Sequence, residues 1–108
     1  MDDGFDIEVT DLKAMLDAGD PVTVLDVRTP MENDIARIEG AVLLPMQELP
    51  SRLAELPKDR LIVAHCHHGG RSARAVAFLR SQGFDNTRNL AGGIDAWSAE
   101  IDPSIPQY

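Results

Sequence analysis

Leu61-Ile62-Val63-Ala64-His65-Cys66-His67-His68-Gly69-Gly70-Arg71-Ser72 decides the fold. An apolar run leads into the chain's one cysteine, a short loop with two glycines follows, and Arg71-Ser72 opens a long helical pattern. The order is strand, tight loop, helix, with a thiol at the strand's carboxyl end. Amides of such a loop, with the unpaired amides of a helix's first turn, point into the hollow it encloses. The glycines permit left-handed backbone angles and leave no Cβ there. The stretch reads as a nucleophilic cysteine in an anion-binding cradle. The plainer reading of a lone cysteine at a strand end is a buried small hydrophobe, and the Gly-Gly-Arg-Ser sequel is what favours chemistry.

Downstream, the helix 71–82 carries Ala75, Val76 and Leu79 on one face and stops at Gly83, a natural residue to follow a helix. Thr87 to Leu90 follows as a short strand, Ala91-Gly92-Gly93 as a sharp turn, and Ile94 to Glu100 as a last helix bearing Trp97. The tail 102–108 holds two prolines and is expected to be irregular, docked through Ile105 and Tyr108 or untethered. Upstream, Phe5, Ile7 and Val9 alternate as a strand would, Thr10 stands as an N-cap, and Leu12, Met15 and Leu16 form a helix stripe. Val22 to Val27 is β-branched and nearly all apolar, as a central strand buried on both faces requires. Thr29-Pro30-Met31-Glu32 is a capping box with proline at the first helical position, and its helix ends near Ala36. Ala41 to Leu44 reads as another buried strand, and Leu49, Leu53 and Leu56 recur at helical spacing over 47–56.

Strands alternating with helices at this spacing predict an α/β fold with a mainly parallel central sheet covered by helices on both faces. Residues 1–108 form a single domain on this reading, long enough to bury roughly two-thirds of its unfolded surface. Ligands of open parallel sheets bind at the carboxyl ends of strands, where Cys66 lies.

The net charge of −8 argues against nucleic-acid or anionic-membrane partners, which want excess Lys and Arg. A lone thiol suits a reducing compartment, the acidic start Met1-Asp2-Asp3 is unlike a signal peptide, and no apolar stretch approaches membrane-spanning length. Cytoplasmic location is the expectation.

A cysteine titrates ordinarily near about 8.5. Inward loop amides, the positive end of helix 71–82 and Arg71 should each favour its thiolate. Lowering the pKa by about two needs roughly 2.7 kcal/mol of differential stabilisation. His65, Cys66, His67 and His68 also suggest a metal, but no other cysteine or histidine supplies a second ligand pair, so no metal is expected. His65, on the strand, is read as structural. His67 and His68 fall inside the loop, either adding hydrogen bonds and positive charge or standing merely exposed.

Cys66-x-x-Gly69-x-Arg71-Ser72 resembles the active-site loop of single-domain rhodanese sulfurtransferases. Leu25-Asp26-Val27-Arg28-Thr29-Pro30-x-Glu32 is similar to that family's early strand-and-helix signature. Ile38-Glu39-Gly40-Ala41 with Leu44-Pro45, Gly83-Phe84-x-Asn86, and Leu90-x-Gly92-Gly93-x-x-x-Trp97 resemble its later ones. The family commonly has histidine where Arg37 stands and proline where Glu39 stands, which bears on a turn and not on the chemistry. The resemblance implies a rhodanese-like three-layer fold and a two-step reaction. By that resemblance Cys66 would be the catalytic nucleophile, and His67, His68, Gly69, Gly70, Arg71 and Ser72 would bind the substrate. Cys66 takes a sulfane sulfur from a small anionic donor such as thiosulfate, and a thiol or sulfur-carrier protein accepts it from the persulfide. No cofactor is implied. Asp26 and Arg28 stand at positions the family uses to brace the loop and fold; a solvated Arg28–Glu32 salt bridge is the other reading.

The alternatives are a persulfide carrier or regulatory binding domain fed by a partner protein, and a cysteine phosphatase or arsenate reductase. Phosphatase loops of this fold place five residues between cysteine and arginine, whereas Cys66 and Arg71 have four between them. The smaller cradle suits sulfur. Arg71 and Arg74 oppose the global charge near the loop and would attract an anionic donor.

Overall fold

A computed structural model describes residues 4–108; the acidic start Met1-Asp2-Asp3 lies outside the described residues. Among the described residues, five parallel strands form one sheet in the order β1-β5-β4-β2-β3. They are β1 (Asp6–Ile7), β2 (Val22–Asp26), β3 (Val42–Leu43), β4 (Leu61–His65) and β5 (Thr87–Leu90). The cysteine strand β4 is central, paired with β2 from Val22↔Leu61 to Asp26↔His65 and with β5 from Ile62↔Thr87 to Ala64↔Asn89. All five residues of β4 are buried, which is why its sequence shows no polar alternation.

The side chains of β4 still alternate between two cores, as the two-residue period of a strand demands. Leu61 and Val63 join Val24, Leu90, Ile94 and Trp97 beneath helices α1 (Val9–Asp17) and α4 (Gly93–Glu100). Ile62 and Ala64 join Leu25, Ala75, Val76 and Leu79 beneath helix α3 (Gly70–Ser81). Cys66 belongs to this second core. The fold is therefore the three-layer α/β arrangement expected. Among the described residues no helix is long and apolar enough to cross a membrane.

Helix α2 (Pro30–Ile35) starts with the expected capping box: the Glu32 amide donates to Thr29 Oγ1, and the Thr29 amide donates to Glu32 Oε1. Four local expectations are corrected. Helix α1 begins at Val9 with Glu8 as N-cap, so Thr10 is already helical and Val9 is not in the strand. The segment Ala41–Leu44 contributes only Val42–Leu43, on the sheet edge, with Val42 exposed. An edge strand is covered less, and an apolar run does not distinguish edge from centre. Over 47–56 no α-helix forms; Met46–Ser51 and Leu53–Glu55 are short 3₁₀ turns, with Pro50 inside the first. Proline lacks the N–H an α-helix would use there, yet Leu49 and Leu56 are buried as the spacing required. Finally, no Arg28–Glu32 side-chain pair forms; Arg28 turns inward to Asp26, and Glu32 reaches Arg71.

Candidate active site

Cys66 follows β4 directly, and Gly69 caps α3 with φ of +115°. That angle carries the backbone round so that its own amide and α3's first amides face the sulfur. Gly69 N–H donates to Cys66 Sγ at 3.1 Å and Ser72 N–H at 3.4 Å. Ser72 Oγ also lies 3.4 Å from Sγ, but it is 2.6 Å from Asn89 Oδ1. A hydroxyl has one proton, and the nearer acceptor is Asn89, itself oriented by donating Nδ2 to Asp6 Oδ1 at 3.1 Å. The Ser72 hydroxyl is thus shared between Sγ and Asn89 Oδ1, whereas the Gly69 and Ser72 amides address the sulfur directly. Burial alone would push the thiol up; hydrogen bonds from the Ser72 hydroxyl and amide, then the Gly69 and Arg71 amides, outweigh it and hold the thiol below its ordinary value.

The floor of the loop is held from α4. Ile94 N–H donates to Cys66 O at 2.9 Å and Asp95 N–H to His67 O at 3.1 Å. These are first-turn amides that an isolated helix would leave unpaired. Gly93 allows the approach, because a Cβ there would lie 2.5 Å from His67 O and 2.6 Å from Cys66 O.

Arg71 does not face the sulfur as a free cation. It grips Glu32 bidentately, Nη1 to Oε1 at 2.7 Å and Nη2 to Oε2 at 2.8 Å. The Arg71 guanidinium in turn keeps the Glu32 carboxyl well below the usual carboxylate range. Arg71 thus acts on the sulfur through its amide and through a charge that still attracts the thiolate, while the guanidinium itself is engaged in linking α3 to α2. Cys66, His67, His68, Gly70, Arg71 and exposed Arg74 line one shallow hollow.

Beneath α2 lies a buried ion pair, Asp26 and Arg28, both side chains fully inaccessible. Arg28 Nε donates to Asp26 Oδ1 at 2.9 Å and Nη2 to Oδ2 at 2.8 Å. The remaining three N–H groups go to Ala36 O, Glu32 O and the Tyr108 hydroxyl, so all five donors of the guanidinium find partners. These two residues brace the loop's surroundings and touch neither Cys66 nor the hollow.

The histidines separate into three environments. His65 is fully buried; its Nδ1 lies 3.4 Å from Cys66 O and its Nε2 has no partner. Burial, aided by the Arg28 charge and resisted by Asp26, pushes it down to about 4, so it is neutral at pH 7. His67 is stacked between His68 and Tyr108, with ring centroids 4.0 Å away on each side. His68 is exposed. Donor atoms of His67, His68 and Asp95 lie within 4.8 Å of one another, looser than the roughly 3.4 Å separation of tetrahedral ligands on bonds of about 2.05 Å. Glu32, Asn89, Gly93 and Tyr108 belong to the site without having been singled out as site residues. Only Glu32, in its capping box, and Gly93, in its glycine pair, had a local signal.

Residues 8–100 match the rhodanese-like domain family. The chain belongs to that family. A sulfurtransferase of Allochromatium vinosum is 41% identical over 100 residues, covering 93% of this chain and 94% of that protein. The probable adenylyltransferase/sulfurtransferase MoeZ of Mycobacterium tuberculosis is 40% identical over 107 residues, 97% of this chain. There the rhodanese-like chain spans only 27% of the relative's length. A rhodanese-related protein of Thermoplasma volcanium superposes with a TM-score of 0.83 at 35% identity, covering 96% of this chain and 99% of that one.

Proposed function

We propose that this protein is a sulfurtransferase that carries a sulfane sulfur as a persulfide on Cys66. One observation carries the reading: a thiol held below its ordinary pKa by the Ser72 hydroxyl and the Ser72, Gly69 and Arg71 amides at the mouth of a hollow bearing Arg74. The sulfurtransferase names of the relatives support sulfur as the cargo. Cys66 thiolate attacks the outer sulfur of thiosulfate; a new S–S bond forms, the donor's S–S bond breaks, and sulfite leaves with the electron pair. A thiophilic acceptor, a small thiol or a sulfur-carrier protein, then takes the terminal sulfur, and Cys66 departs as thiolate. Gly69 and Ser72 amides hold the negative sulfur at both stages, and neither step calls for a metal or organic cofactor. Cys66 is 1% exposed, so a slim donor that presents its terminal atom suits the opening better than a phosphate tetrahedron.

Incubation with thiosulfate is expected to add the mass of one sulfur to the wild type and nothing to Cys66→Ser. Intact mass spectrometry decides it. An adduct retained in Cys66→Ser refutes the nucleophile, and no adduct beside robust aryl-phosphate hydrolysis refutes sulfur transfer. A second reading, a carrier loaded by a partner enzyme, is favoured by the match to only a part of MoeZ. It would show no adduct from thiosulfate but one from a persulfidated donor protein.

A further inference from the structure

The segment 102–108 has no regular structure, yet it is fastened along its length. Ser98 Oγ donates to Ile105 O, Ile105 is buried, and Gln107 Nε2 donates to Asp95 Oδ1 at 3.2 Å. Tyr108 then reaches the site by two separate routes. Its hydroxyl accepts from Arg28 Nη1 at 2.8 Å and donates to Glu32 Oε2 at 2.7 Å, the same oxygen that receives Arg71 Nη2. Its ring lies on His67 at 4.0 Å and 8° from parallel, directly next to the nucleophile in the chain. Burial lifts the phenol above its ordinary range, with Arg28 pulling the other way, so the proton offered to Glu32 stays in place at neutral pH.

We propose that Tyr108 is a positioning residue for Cys66 chemistry: its ring pins His67 and so sets the loop amides on the sulfur, while its hydroxyl fixes Glu32 and so aims Arg71 at the hollow. The two routes end on different properties of the site. The ring governs how readily Cys66 ionises. The hydroxyl governs how well an anion is received. A merely structural Tyr108 would do neither, serving only as the fifth acceptor of the buried Arg28.

The proposal rests on Cys66 being a nucleophile that meets an anion, but its test needs no sulfur transfer. Cys66 is the only cysteine, so alkylation reports on it alone. The midpoint of the iodoacetamide rate against pH reads ionisation. The rate ratio of anionic iodoacetate to neutral iodoacetamide reads anion reception. Tyr108→Ala is expected to raise the midpoint and to lower the ratio by about threefold to tenfold, the range expected for one lost hydrogen bond. Tyr108→Phe keeps the ring, so it should restore the wild-type midpoint while the ratio stays low. A Tyr108→Ala protein that loses only melting temperature overturns the assignment. So does a Tyr108→Phe midpoint displaced as far as that of Tyr108→Ala. Failure of the persulfide reading would instead appear as a missing mass adduct with both alkylation differences intact.

Discussion

Gly93→Ala is the substitution that most directly tests how α4 holds the Cys66 loop. The added Cβ would sit 2.5 Å from His67 O, 2.7 Å from His67 C and 2.6 Å from Cys66 O. An ordinary carbon–oxygen contact is about 3.3 Å or more, so loop and helix must part by most of an ångström. The same carbonyls accept from Ile94 and Asp95 at 2.9 and 3.1 Å, so the parting stretches two buried hydrogen bonds beyond useful length. Each is worth about 1 kcal/mol, overpacking costs about 1–3 kcal/mol, and an alanine at φ +61° costs about 1 kcal/mol more. The expected loss is roughly 4–6 kcal/mol, a large fraction of the ~5–15 kcal/mol stability of a small domain. Urea unfolding followed by the fluorescence of buried Trp97 measures it. Gly40→Ala is the calibrator: φ is +83° there, and a Cβ would meet nothing within 4 Å. It should lose only the conformational part, about 1 kcal/mol. Equal losses in the two variants would refute the close-approach argument, because backbone angle alone would then explain both.

Two further outcomes concern the buried charges. Asp26→Ala leaves the Arg28 guanidinium inaccessible and without its counter-charge, and is expected to cost roughly 3–5 kcal/mol in the same urea assay; a loss below about 1 kcal/mol would mean that water or Glu32 replaces the carboxylate. His65 supplies a pH dependence. Its folded value, down to about 4 from 6.5, means that between those values the unfolded chain binds more protons there than the folded one. The associated stability is fully present above pH 6.5 and drains away as pH falls toward 4, by roughly 3 kcal/mol. An NMR titration of the His65 ring with its midpoint near 6.5 would contradict this.

The parts of the molecule legible in the sequence are those governed by neighbours in the chain. The β4–loop–α3 unit shows itself because a doubly buried strand must be continuously apolar and because the turn needs glycine where φ is +115° at Gly69. The capping box of α2 is visible because its two hydrogen bonds join residues three apart. Over 47–56 the spacing of leucines reports which side chains are buried but not which helix carries them, and Pro50 decides that in favour of 3₁₀ turns. The site's outer frame is illegible for a different reason. Arg71 finds Glu32 across 39 positions and Tyr108 finds Arg28 across 80. No periodicity encodes such pairs; they exist only after the sheet brings the strand ends together. Glu32 had two plausible cations within reach of α2, and the nearer in sequence is the one whose guanidinium its carboxylate does not pair with.

That exchange of partners changes how the sulfur must be stabilised. A free arginine beside Cys66 would favour the thiolate, but it would favour a departing oxyanion at least as strongly and would hold the spent donor in the hollow. With the Arg71 guanidinium engaged by Glu32 and Ser72 Oγ shared with Asn89, the direct contacts on Sγ that bring no net charge are the Gly69, Arg71 and Ser72 amides. Amides are fixed dipoles: they stabilise charge that develops on sulfur without adding a net charge of their own. On the proposed reaction they would serve the thiolate, the transition state of each transfer and the leaving thiolate alike, at no cost of reorganisation. On the proposed reaction, the positive charge that draws a donor in is presented at the rim by Arg71 and exposed Arg74, where solvent weakens its grip once sulfur has moved. On the proposed sulfur transfer, separating attraction at the rim from stabilisation at the sulfur would let one cysteine both take an atom from an anion and give it up again.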